Sequence, residues 1–544
     1  MFSRKKIFIL LCLLGTVFAF KATDDYFEVS KNIEIFSSVY KEIHSGFVDE
    51  VKPGDLMKKS IDAMLGSLDP YTNFYNESQA EDAMIMRSGE YGGIGCNSLK
   101  RDKFIYISTV YKGLAADKAG LRVGDKILEI NGKSFEGKTD SDVTDALRGA
   151  PNSKASMVIE RADVKMPIDI TREEIKLKNV SYYGLINSET GYIKLDHFME
   201  LASKEVREAF LYLKGKGIKK IVLDLRDNGG GLLHEAVNIV NIFVDVNEVV
   251  TEMKGRTDDA NRVYKTLDRV IDGTMPLVVL VNNHSASASE IVCGAIQDLD
   301  RGVIIGRNTY GKGLVQNTRP LPYRTQMKMT IAKYYIPSGR CIQLLDYSHR
   351  NADGSAGIVP DSLRKAFKTK NGRVVYNGGG VKPDVNVKES AVSNIAKSLQ
   401  KNYVIFDYAT YYRAKNNTIA DIKNFNLKEA DFMDFKQFVK TKNYTYSTIS
   451  EALLIQLKAK LKEENYNEEL ANEIKSLETS FESVKAKDLD THQTEILLLL
   501  KTEITRRYYY EEATFESTFN SDPDILKALE TFSGNYKNIL ITTP

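Results

Sequence analysis

Residues 276–298 read PLVVLVNNHSASASEIVCGAIQD. The apolar run Leu277–Val281 reads as a strand, and SEIVCGAIQDL, from Ser289, reads as an amphipathic helix. Between them lies a polar turn with serines at the alternate positions 285, 287 and 289 and a histidine at 284. The segment is therefore a strand–turn–helix. A hydroxyl at such a turn is exposed, and an oxyanion formed there would face the free N–H groups of a helix N-terminus. Ser287-x-x-Glu290 also fits a capping box, so a purely structural role for Ser285 or Ser287 is the competing reading.

The flanking sequence extends the pattern. GYIKLDHF, KKIVLDLRDN and GVIIG read as strands and EAVNIVNIFV as a helix. Strand–helix–strand order argues an α/β core over 173–390 whose sheet is at least partly parallel. Residues 88–172 are mixed: a Gly-rich loop in EYGGIGCNS, a strand in FIYISTVY, a short helix, turn and strand in AADKAGLRVGDKILEING, a helix in SDVTDALRGA and a strand in KASMVIER. Residues 24–80 are helical by periodicity until Asp-Pro in SLDPYTNFY breaks it. From 391 to 544 the chain is rich in Lys, Glu and aromatic residues. ISEALLIQLKAKLKEENYNEELANEIKSLE and THQTEILLLLKTEITRRYYYEEATFE read as helices of a separate domain or pair of arms.

A chain of 544 residues exceeds one hydrophobic core, so several domains are expected. A net charge of +2 gives no argument for nucleic acid or an acidic partner. MFSRKK followed by the apolar IFILLCLLGTVFAF reads as a secretory signal peptide over 1–22, the alternative being a retained anchor. Beyond it remain Cys96, Cys293 and Cys341, widely spaced and odd in number, which make no disulfide framework.

A serine nucleophile needs a proton acceptor. His284 and His234 have no carboxylate partner visible in the sequence, and HEAVN lacks the second histidine of a zinc helix. Lys312 stands between two glycines in VIIGRNTYGKGLVQ. A lysine base must be neutral, which requires a dry pocket lowering its pKa from ~10.4 to ~7–8. Gly306-x4-Gly311-Lys312 also matches most of a P-loop, but Gly313 replaces the Ser or Thr, and the residues that follow alternate as strands.

Taken together these motifs resemble the carboxyl-terminal processing, or tail-specific, proteases. The similarity lies in NNHSASASEIVCGAIQDLDRGVIIGRNTYGKGLVQ, LDLRDNGGG (223–231), AKYYIPSGRCIQ (332–343), GGGVKPDVNV (378–387) and SLDPYTNFY, and 88–172 looks like a PDZ domain. The resemblance covers about 30–390. It implies a multidomain α/β protein: a signal peptide (1–22), an N-terminal helical region (23–87), a PDZ domain (88–172), a serine-protease core of the ClpP/crotonase type (173–390) and a C-terminal helical domain (391–544). It further implies Ser287 as nucleophile, Lys312 as general base and Gln316 as the residue that orients the lysine. The N–H groups of Gly230 and Ala288 would form the oxyanion hole, with the choice among glycines 229–231 open by one. Asp298 matches an acidic position of the family and reads as structural. Gly92, Gly93, Ile94 and Gly95 would capture the C-terminal carboxylate of a protein tail, with the strand around Ile94 pairing with it. No metal or cofactor is expected. Partners would be proteins with exposed apolar C-terminal tails, met in the periplasm or cell envelope, with an adaptor or self-association through the helical regions left open. The alternative function is a catalytically inactive or adaptor-dependent peptide-binding scaffold.

Overall fold

A computed structural model describes residues 26–389, 392–422, 424–442 and 444–541. The expected signal peptide lies outside these residues. The chain forms two compact units, one of residues up to Ser78 with Gln316–Thr330, the other of Gln79–Val315 with Ile331 onward.

In the first unit a helix over 26–46 is followed by Pro53–Gly66, which starts with proline at its first turn. The Asp69 carboxylate then accepts from the N–H groups of Tyr71 and Thr72, both at 2.8 Å, an Asx turn that stops the helical run. Asn73–Tyr75 pairs antiparallel with residues 326–328. Leu314–Pro320 and Gln326–Tyr335 are strands, as the alternation after Lys312 requires, so no helix opens there and no P-loop forms.

In the second unit the PDZ portion is an antiparallel sheet of β1 (Cys96–Arg101), β2 (Phe104–Val110), β3 (Lys126–Ile130), β4 (Lys154–Arg161) and β5 (Val164–Thr171), in that order. Ile105 and Ile107, two apart on β2, point into the same core as Ile127 and Ile159. Helix α1 (Asp140–Leu147) packs beside β1 and starts with a capping box: Asp142 N–H to Thr139 Oγ1 at 3.2 Å and Thr139 N–H to Asp142 Oδ2 at 2.7 Å.

The α/β core is a six-stranded sheet: β6 (Val180–Leu185), β7 (Thr190–Leu195), β8 (Lys220–Asp224), β9 (Leu277–Val281), β10 (Val303–Gly306) and β11 (Val385–Asn386). β6 and β7 are antiparallel and every later pair is parallel. One face, with Ile193, Leu223, Val279 and Ile304, packs on α2 (Ala202–Gly215), α3 (Leu233–Phe243) and α4 (Ala288–Asp298). The opposite face, with Val222, Val278, Leu280 and Ile305, packs on residues of α7 (Glu512–Thr518) and α8 (Pro523–Ser533) and on Phe519 between them. Burial on both faces explains the continuous apolar runs in β8, β9 and β10. Residues 512–533 thus form a layer of the α/β core rather than a free arm. The preceding C-terminal helices, among them α5 (Val404–Lys415) and α6 (Gln493–Tyr509), have their own core around Tyr408, Phe432, Phe435 and Leu500.

Candidate active site

At the C-terminal end of β9 the chain turns through Asn282–Ser287 into α4. Ser285 and Ser289 are fully buried. Ser285 Oγ donates to the Leu225 carbonyl at 2.8 Å, and Ser289 Oγ to the Asn228 carbonyl at 2.9 Å. The outer two serines therefore fasten this turn to the 225–228 turn after β8, leaving the middle one half-exposed. Ser287 has φ 56° and ψ −113°, a backbone strained for a residue with a side chain. Such strain marks functional turns. The Glu290 N–H bonds to the Ser287 carbonyl at 2.9 Å, and the buried Tyr334 donates its hydroxyl to the same carbonyl at 3.2 Å.

Glu290 does more than complete a helix cap. Its Oε2 accepts from the N–H groups of Ser287 and Lys312, both at 2.9 Å. Its Oε1 accepts from the Gly311 N–H at 2.7 Å and the Thr309 hydroxyl at 2.5 Å. One fully buried carboxylate thus ties the backbone of the serine turn to the loop that carries Lys312. The loop is pinned further by Tyr310 N–H to Ser285 O at 3.0 Å and Gly313 N–H to Gln343 Oε1 at 2.7 Å. Gly311 has φ +86°, and a Cβ there would lie 2.5 Å from that of Leu344. Only glycine permits this approach. Lys312 itself is half-buried.

Burial pushes the Glu290 carboxyl up to about 7, against its four hydrogen bonds, which favour the charged form. A carboxyl whose folded pKa lies above its unfolded value binds a proton on folding. The associated stability is complete below pH ~4.5 and is lost as pH rises toward ~7, roughly 3 kcal/mol in all. Glu290→Gln should flatten this component in denaturant melts recorded from pH 5 to 8. Its amide nitrogen cannot accept, so buried donors go unpaired at ~1–3 kcal/mol each and the variant should be less stable at pH 8. An unchanged pH dependence would show that Glu290 does not titrate in this window.

The turn after β8 supplies the facing wall. Asn228 is fully buried; its Nδ2 donates to Leu195 O at 2.8 Å, and its carbonyl accepts from the Ala286 N–H at 3.0 Å. Gly230 has φ +95°, and a Cβ there would lie 2.7 Å from Ala286 O, 2.8 Å from Ala288 N and 2.8 Å from Ser287 Cβ. Gly230 is therefore pressed against the serine, with its N–H bonded to Asn228 Oδ1 at 2.9 Å. Ala288 is the first residue of α4, where an N–H has no acceptor within its own helix. Asp298, at the other end of α4, accepts from Arg340 at 2.8 Å and the Ser338 N–H at 3.0 Å, holding the loop after Tyr335.

Two histidines lie beside carboxylates, His284 beside one 57 residues upstream and His234 beside its own chain neighbour. His284 Nδ1 lies 2.8 Å from Asp227 Oδ1, and His234 Nε2 lies 3.5 Å from Glu235 Oε1. Burial raises the Asp227 carboxyl, but its hydrogen bonds to His284 and Asn282 outweigh this and hold it below the usual range. Among the described residues no hydrogen bond joins His284 to Ser287. Gln316 belongs to the first unit, half-buried on Leu314–Pro320, with Nε2 donating to Thr330 Oγ1 at 3.1 Å.

In the PDZ portion Gly92 and Gly93 lie in a short strand, Glu90–Gly93, paired antiparallel with Glu173–Lys176. Ile94 is buried against the PDZ core, and its carbonyl accepts from the Ala116 N–H at 2.7 Å. Gly95, at φ +77°, turns the chain into β1. The strand beside the glycines thus begins at Cys96, two residues beyond Ile94, because Gly93 still pairs with Glu173 and Ile94 faces inward. β1 is the terminal strand of its sheet, and Asp140 of α1 accepts from the Lys100 N–H at 3.1 Å along it. Cys96, Cys293 and Cys341 are free thiols, Cys293 fully buried.

Comparison with known proteins agrees with this architecture. The model of peptidase family S41 matches residues 189–362, that of the PDZ domain 106–161, and one described as a probable PDZ-protease C-terminal helical domain 395–532. A probable CtpA-like serine protease of Staphylococcus aureus (strain bovine RF122 / ET3-1) is 35% identical over 392 residues, 71% of this chain and 76% of that protein. A carboxy-terminal-processing protease of Bartonella bacilliformis is 34% identical over 337 residues, 61% of this chain and 74% of that protein. The solved photosystem II D1 C-terminal processing protease aligns at 26% identity and TM-score 0.36, over 65% of this chain and 87% of that one. With its PDZ domain, mixed-sheet core and C-terminal helices, the chain belongs to the carboxy-terminal-processing serine proteases of peptidase family S41.

Proposed function

We propose that the protein is an exported endopeptidase that cleaves by a Ser287/Lys312 mechanism and selects substrates by their C-terminal tails. The observation that carries the catalytic reading is the Glu290 carboxylate, which holds the Ser287 and Lys312 backbones on one oxygen. Ser287 Oγ attacks the scissile carbonyl while neutral Lys312 takes its proton and returns it to the leaving amine. The Ala288 N–H supports the oxyanion. Gly230 joins it when its N–H exchanges Asn228 Oδ1 for the substrate oxygen. Gln316 is the residue that steadies the lysine in this scheme. The N-terminal segment 1–22 supports export to the periplasm or cell envelope.

The tail reading rests on β1. A terminal strand that follows a glycine turn and runs beside a helix can accept an extended peptide as an added strand, with Gly92–Gly95 at its carboxylate end. An apolar free-acid tail should bind ten- to a hundredfold more tightly than the same tail amidated, since one charge-assisted hydrogen bond contributes ~1.5–3 kcal/mol. Calorimetric titration of both peptides, and cleavage of one test protein carrying either tail or one ending in Asp-Asp, measures this. Equal binding and equal cleavage of all three would remove tail selection and leave the protease.

The Asp227–His284 pair favours a second reading, a Ser-His-Asp arrangement. His284→Ala decides between them: the Ser/Lys reading requires the variant to keep most of its turnover.

A further inference from the structure

We propose that Asp522 and Asp524, at the start of α8 in the C-terminal region, are positioning residues for the active site. They hold Arg226, and through it the turn that presses Gly230 against Ser287. The inference rests on the active-site reading above.

Arg226 stands at the root of that turn, and its guanidinium is shared between two regions of the chain. Nε and Nη2 bond Asp224, Nη2 at 2.6 Å. Nη1 bonds Asp522 Oδ1 at 3.0 Å and Asp524 Oδ2 at 2.9 Å, almost 300 residues away in sequence. Arg307, just after β10, reaches the same Asp524 oxygen at 3.1 Å. Lys194 donates to the Arg226 carbonyl and lies 3.9 Å from Asp224. Three cations, Lys194, Arg226 and Arg307, thus face four carboxylates: Asp196, 3.3 Å from Lys194, with Asp224, Asp522 and Asp524, the last two at the start of α8.

The matching matters because two of these carboxylates lie out of water. Asp224 and Asp524 are buried almost completely, and Asp224 is held down at about 2, where Arg226 and Lys194 outweigh its desolvation. Removing the α8 carboxylates leaves Arg307 without its Asp524 partner and Arg226 held by Asp224 alone, so the Nη1 side of its guanidinium is free to reorient beneath the turn. Asp524 Oδ1 is itself buried without a hydrogen-bond partner.

The turn between Arg226 and Ser287 is held at several points. The Arg226 N–H bonds Asp224 at 2.8 Å, the Asp227 N–H bonds Asn282 at 3.0 Å, and Gly230 has no room for even a Cβ beside the serine. A small shift of Arg226 therefore moves the oxyanion wall relative to the nucleophile. Displacements of ~1 Å in such a site cost up to ~10²-fold in rate.

The variants are Asp522→Asn, Asp524→Asn and both together in the full-length protein. Asp522 also caps α8, accepting from the Asp524 N–H at 2.9 Å and the Ile525 N–H at 3.2 Å. Asparagine caps a helix equally well, so Asp522→Asn removes the charge and keeps the helix start. A cavity of about 270 Å³ bordered by Asp522, Lys194 and Arg226 leaves room for water at the altered group. This variant therefore reports even if the double variant fails to fold. The expected result is a several-fold fall in kcat for Asp522→Asn and ~10–100-fold for the pair. KM and tail-peptide affinity should be unchanged, and Asp524→Glu should retain more activity than Asp524→Asn. A merely structural role would lower thermal stability and leave the kcat of the folded protein intact. Folded Asp522→Asn with kcat within twofold of the parent would overturn the proposal. Ser287→Ala run beside it separates the two readings: if that variant is dead while the Asp variants are fully active, only this inference falls, whereas if it still turns over, the active-site reading falls with it.

Discussion

Ser287→Ala and Lys312→Ala should each reduce turnover to near background, a loss of ~10⁴–10⁶, with the fold retained. Ser287 is bound into the structure through its main chain: its N–H meets Glu290 and its carbonyl meets Tyr334 and Glu290 N–H. Alanine keeps all of these, so circular dichroism and melting should barely change while the nucleophile is gone. Lys312 likewise contributes its N–H to Glu290, a bond that Lys312→Ala preserves. Lys312→Arg should be as inactive as the alanine variant, because a guanidinium is not deprotonated in a protein and cannot act as base. The pH–rate profile of the parent should rise with pH. Neutral Lys312 and ionised Glu290 are both favoured by proton loss, and burial places the second near 7. Cleavage of a test protein with an apolar tail, followed beside His284→Ala, measures the set. Folded Lys312→Ala with near-normal turnover, or a dead His284→Ala, would replace lysine by histidine as the base.

Gly230→Val is the second large effect. At φ +95° the backbone is in the region that disfavours any Cβ. The contacts it would make, 2.7 Å to Ala286 O and 2.8 Å to Ala288 N, are with main chain that cannot rotate aside. The turn must move, and with it the Gly230 N–H that is proposed to turn to the developing oxyanion. Loss of one such donor costs ~10²–10³ in turnover, and strain on the serine turn adds to that. Gly229→Ala is the matched control: a Cβ there meets nothing within 4 Å and its φ is not in the positive range, so most activity should remain. Circular dichroism and melting report that both variants are folded. Normal turnover in Gly230→Val would put the oxyanion wall elsewhere, and a dead Gly229→Ala would make the whole turn intolerant rather than one position.

Several features of this protein are local and are written in the chain. An apolar run followed by a polar turn and an amphipathic stretch specifies strand–turn–helix whatever lies around it, and β9, the serine turn and α4 follow from that periodicity. The alternation after Lys312 excludes a P-loop for the same reason. Which of three similar serines is left accessible is different. It is decided by hydroxyl partners at Leu225 and Asn228, some 60 residues upstream, which consume Ser285 and Ser289 and leave Ser287 at the surface of the turn. Glu290 reads as a capping residue because only its neighbour Ser287 is visible along the helix; the Lys312 loop meets its other lone pairs in space. The carboxylate beside His284, the inward turn of Ile94 and the packing of α8 on the sheet belong to the same class. Apolar runs such as LVVLV announce that both faces of a strand are covered, but hydrophobic burial is non-directional and does not name the covering element. Partners of that kind are chosen by shape and charge across hundreds of residues, and only the folded chain brings them within bonding distance.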